Sequence, residues 1–176
     1  MAQTEKSQWS GDRVAALVVG TQHEYQRHQD RVPESEQIRV RFKQHILELV
    51  RDRQIQLIAE EAGTDEEVWT TLRAEEAATP VEFAGLFEAK AVVDAPQRTI
   101  ASDIAEQNRC QYVDIRSPDA IAMSMGERDA AMAKTNADRN TSSVNVLVIV
   151  GAAHLAGVSR ILKEEYNWDV SSQSFP

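Results

Sequence analysis

The chain has 176 residues, the size of one domain that can enclose a core without disulfide or metal staples. Nineteen Lys and Arg against 28 Asp and Glu give a net charge of −9, and no basic run offers a face to phosphates, so nucleic acid and anionic membranes are excluded as expected partners. The single cysteine, Cys110, rules out an intrachain disulfide and suits a reducing compartment.

Residues 1–12 read as a flexible lead-in and 13–176 as one α/β domain. The lead-in is polar and lacks the apolar centre of a secretory signal, which makes a cytoplasmic location the expectation. RVAALVVG, ending at Gly20, is a valine-rich run of the kind found in a strand buried on both faces. A polar loop follows, TQHEYQRHQD. Pro33 then opens a helix whose inner face carries Ile38, Phe42, Ile46, Leu49 and Val50. IQLIA, Ile55 to Ala59, reads as a second strand and runs into Glu60 and Glu61.

Residues 64–90 read as a lid, with helical DEEVWTTLRAEEAA broken by Pro80 and with Trp69, Phe83 and Phe87 as an apolar wall. AKAVVDAP suggests a third strand, QRTIASDIAEQNR a helix, and QYVDI a fourth strand with Asp114 at its rim. Ser117 and Pro118 suit the cap and first position of a helix bearing Ile121, Met125 and Met132. VNVLVIVG is the most emphatic strand in the chain. Its neighbourhood, Val146 to Ala153, is also the longest apolar stretch, well short of the roughly 20 residues that span a bilayer. Leu155, Val158, Ile161 and Leu162 mark a last helix, and WDVSSQSF reads as an antiparallel edge strand. Strands alternating with helices predict a mainly parallel sheet covered on both faces.

Two strands end alike. VVGTQH places His23 three residues after Gly20, and VIVGAAH places His154 three residues after Gly151, so GxxH occurs twice after buried strands. In open α/β sheets ligands bind beyond the carboxyl ends of strands, which is where both histidines belong. Glu60 and Glu61 sit at a third such end. Because adjacent strand residues face opposite ways, one of the two is expected to point into the site while the other pairs with a neighbouring loop or caps a turn. Arg128 falls in register with Ile121, Met125 and Met132, so a guanidinium interrupts an apolar stripe and calls for a carboxylate or anionic ligand, with Glu60 or Glu61 the nearest candidate.

GTQH, the strand ending IAEE, the helical MGERDAAM and the late VLVIVGAAHLAGV resemble the TraB/Tiki group, within a wider superfamily that includes erythromycin-esterase-like and ChaN-like proteins. The order of motifs matches across roughly residues 14 to 166. The resemblance implies an α/β core with a site of His23, Glu60, Glu61, Arg128 and His154. It implies hydrolysis of a peptide or ester bond, with His23, His154 and a glutamate holding a divalent metal (Mn, Co or Zn) or polarising water directly. Haem or small-molecule binding in the same pocket and a non-enzymatic scaffold are the alternatives. The expected partner is a peptide or other small-molecule substrate, and self-association is left open.

Overall fold

The computed structural model describes residues 13–26, 33–62, 99–116, 122–140 and 144–175, with His23, Glu24 and residues 33–35 placed by backbone alone. Five strands, β1 (Ala15–Thr21), β2 (Leu57–Glu60), β3 (Gln111–Asp114), β4 (Asn145–Gly151) and β5 (Asp169–Ser174), form one sheet in the order β3-β2-β4-β1-β5. Every pairing is parallel. Among the described residues the α-helices are α1 (Pro33–Asp52), α2 (Ile100–Asn108), α3 (Met125–Arg139) and α4 (Leu155–Glu164).

The valine-rich runs form the centre because both of their faces are apolar. In β1 and β4, Ala16, Val18, Val146, Val148 and Val150 pack in one cluster with Met132 of α3 and Val158, Ile161 and Leu162 of α4. The alternate residues Leu17, Val19, Leu147 and Ile149 pack in a second cluster with Phe42 and Ile46 of α1 and Ile100 and Ile104 of α2. The period-two alternation thus divides the core into two layers, one on each side of the sheet. Burying an aliphatic or aromatic side chain as fully as Phe42, Ile46, Ile58 or Leu147 contributes about 1.5–3 kcal/mol each, which makes these strands the fixed frame for everything at their ends.

Two expectations need correction, and several fall outside the described residues. β5 is an edge strand, but it runs parallel to β1, with Ala15 opposite Asp169 and Gly20 opposite Ser174. The reason is α4: a ten-residue helix after β4 returns the chain to the starting end of the sheet, so the next strand must run in the same direction. The helix expected from Ser117 begins at Met125 instead. Ser124 is its cap, accepting from the Glu127 amide while the Glu127 side chain accepts from the Ser124 amide at 2.7 Å. Ile121, the lead-in, the lid with Trp69, Phe83 and Phe87, and the strand AKAVVDAP lie outside the described residues. Among the described residues no helix is long and apolar enough to cross a membrane.

Candidate functional site

β4 lies between β2 and β1. The helix after β1 and the next described helix after β2 pack on one side of the sheet, whereas β4 leads to α4 on the other. Neighbouring connections that part in this way open a crevice at the carboxyl end of the central strand. The register brings the ends together there, with Thr21 opposite Gly151 and Glu60 opposite Ile149.

His154 stands in this crevice at the end of a short 3-10 turn, Ala152–His154, and is only 6% exposed. Its Nδ1 is 2.6 Å from Oδ1 of Asp129, a buried residue in the first turns of α3. A carboxylate accepts, so Nδ1 is the donor in this contact, and in the neutral ring Nε2 is then the acceptor. Nε2 faces Oε1 of Glu61 at 3.7 Å, too far for a direct hydrogen bond. Glu61 is clipped at two points: its amide donates to Ile149 O at 2.8 Å, extending the ladder past β2, and its Oε2 accepts from the Gly151 amide at 2.9 Å. The result is a buried line Asp129–His154–Glu61 drawn from three separate elements.

The glycine that opens each GxxH is a matter of space in at least one case. A β-carbon on Gly20 would lie 3.0 Å from Leu155 Cβ, so the absent side chain lets the end of β1 and the start of α4 approach closely.

Glu60 points the other way. It is 0% exposed on the α1/α2 side, where its Oε2 accepts from Thr99 Oγ1 at 2.5 Å and from the Tyr112 hydroxyl at 2.8 Å. Thr99 also caps α2 by accepting from the Ser102 amide at 3.0 Å. Oε1 of Glu60 has no hydrogen-bond partner among the described residues. Burial pushes this carboxyl up to about 7; the bonds from Thr99 and Tyr112 act against the shift, and the charge of Asp114 adds to it. Burial, and then the Glu60 charge, pushes the Tyr112 hydroxyl up as well.

The five residues named from sequence are therefore not gathered at one point. Glu61 and His154 meet; Glu60 is in a separate buried cluster across the sheet. Arg128 is half-buried, with Nε donating to Met123 O at 3.3 Å. The stripe that suggested it is rotated: Met125 is 54% exposed, and the face α3 buries carries Asp129, Met132, Ala133 and Asn136. His23 lies in a 3-10 turn, His23–Gln26, two residues beyond Thr21, and only its backbone is described. Asp114 ends β3 at the exposed rim and accepts from the Arg116 amide at 2.9 Å. Asp129 is the member that sequence reasoning missed, although its spacing of three, four and seven to Met132, Ala133 and Asn136 is as regular as the stripe that was chosen.

Among the described residues no group of three or more His, Cys, Asp and Glu is arranged to hold a metal ion. Comparison with protein-family models, curated proteins and solved structures found no match to this chain.

Proposed function

We propose that the chain is a hydrolase of peptide or ester bonds in which His154 and Glu61 activate a water molecule and Asp129 orients the imidazole. The observation that carries this is the facing pair of acceptors. Nε2 and Oε1 stand 3.7 Å apart in a buried crevice, while the other atom of each group is already committed, to Asp129 and to the Gly151 amide. A donor or a cation seated between them would be held by both. A water donating to both would be polarised for attack on a carbonyl carbon. Its proton passes to Nε2, Asp129 stabilises the imidazolium, and the same proton is then given to the leaving amine or alkoxide.

The donor set also fits a divalent cation in part. His154 Nε2 and Glu61 Oε1 can both reach one ion at about 2.0–2.2 Å, and a carboxylate on the far ring nitrogen is the usual outer partner of a metal-bound histidine. His23 is the nominee for a third ligand, because the pairing of Thr21 with Gly151 sends the two loops off side by side. A bound Mn, Co or Zn ion would acidify its water and polarise the substrate oxygen. The resemblance of GTQH, IAEE and GAAHLAGV to motifs of the TraB/Tiki group points to the same chemistry. With both ring nitrogens of His154 facing carboxylates, the geometry favours hydrolysis over ligation of haem iron by this residue.

The test is turnover of peptide and ester libraries by purified protein, alone and with Mn, Co or Zn. Activity that disappears in His154→Ala and Glu61→Gln supports the proposal. A wild-type protein inactive under every condition, with His154→Ala changing only the melting temperature, means the site is structural and the chain a scaffold.

A further inference from the structure

Gly157 is the third residue of α4, and its backbone does not require glycine, since no glycine among the described residues has a positive φ. Glycine is also among the poorest helix formers, so its place in the first turn calls for a reason outside the helix. The reason is Asp129. A β-carbon on residue 157 would lie 1.8 Å from Asp129 Oδ2, 2.5 Å from Cγ and 3.2 Å from Cβ. The carboxylate from α3 thus occupies the volume that any other side chain at 157 would fill.

We propose that Gly157 is a positioning residue for His154: the missing side chain is the seat in which the Asp129 carboxylate is locked, and that seat sets the imidazole tautomer. Asp129 is 7% exposed and has only two side-chain torsions, so a carboxylate displaced from the seat must swing Oδ1 away from His154 Nδ1. A methyl group at 157 would therefore act on a ring it never touches. With Nδ1 no longer held as a donor to Asp129, the proton is free to move to Nε2, which faces Glu61 Oε1 at 3.7 Å. The inference builds on the proposed function in assigning Nε2 as the reacting nitrogen, but its readout is the ring itself.

The experiment is nitrogen-15 NMR of His154 in the full-length protein, which distinguishes the two tautomers directly. The wild type is expected to show Nδ1 protonated and Nε2 bare. Gly157→Ala is expected to shift the dominant form to Nε2–H while retaining the wild-type circular dichroism and a cooperative melt. Asp129→Asn, which leaves Gly157 in place and offers Nδ1 an amide donor, is expected to produce the same shift, and it decides the matter if Gly157→Ala does not fold. Wild-type tautomer populations in Asp129→Asn or in a folded Gly157→Ala overturn the proposal, as does a wild-type ring already carrying its proton on Nε2. A normal tautomer response in a protein that hydrolyses nothing would leave the seat standing and remove only the reaction.

Discussion

Glu60 and Glu61 are consecutive in the chain and face opposite sides of the sheet, one bonded to Thr99 and Tyr112 on the α1/α2 side and the other facing His154 on the α4 side. The pleat separates two carboxyl groups that have different environments and different consequences when changed.

Glu61→Gln and His154→Ala are expected to lower turnover by about 100-fold or more, the usual scale for losing a general base. Initial rates on the best substrate of a peptide and ester panel measure this. Rates within about threefold of wild type for either variant would mean that water activation lies elsewhere.

Glu60 is expected to contribute to the pH dependence of stability. Its folded-state carboxyl is raised from 4.5 to about 7, so between those values the native protein binds a proton that the unfolded chain releases. The contribution is present below about pH 4.5 and is lost as pH rises through about 7, an effect on the order of 3 kcal/mol at most. Urea titrations at several pH values should show stability falling over this window, and Glu60→Gln should flatten the slope.

Thr99→Ala removes the cap of α2 and one donor to Glu60 together. A cost of about 1–2 kcal/mol is expected from the cap alone. Because the lost bond favoured the charged carboxylate, the Glu60 transition should also move to higher pH, which titration of the carboxyl by carbon-13 NMR reads directly.

Asn136 is fully buried on α3, and both of its amide atoms lack a partner among the described residues. Leucine in its place surrenders no bond to the described residues and gains apolar burial, so Asn136→Leu is expected to match or exceed wild-type stability in chemical denaturation. A loss greater than about 2 kcal/mol would show that the amide is satisfied by an ordered group such as water.

The strands were legible where burial on both faces leaves an unbroken apolar run, as in β1 and β4, and the alternation at Glu60 and Glu61 follows from geometry alone. α3 was harder to read. Its inward face mixes Asp129 and Asn136 with Met132 and Ala133, while the apolar Met125 points outward, so a pattern based on hydropathy lands one position off and selects Arg128 instead of its neighbour. The direction of β5 was hidden for a related reason. DVSSQS has an exposed polar character that fits an edge of either sense, and only the helix before it decides which.

β5 also bears on colloidal behaviour. All seven residues of β1 are buried, and on the side away from β4 they are covered by a six-residue strand with Asp169, Ser171, Ser172 and Ser174 exposed. Stripped of that cover, AALVVGT would be an uncharged, proline-free ribbon with open amides and carbonyls, the kind of template on which chains zip together. The serine-rich tail thus acts as a gatekeeper against self-templating, and a chain ending at Asn167 is expected to scatter light as it aggregates while the intact protein stays clear.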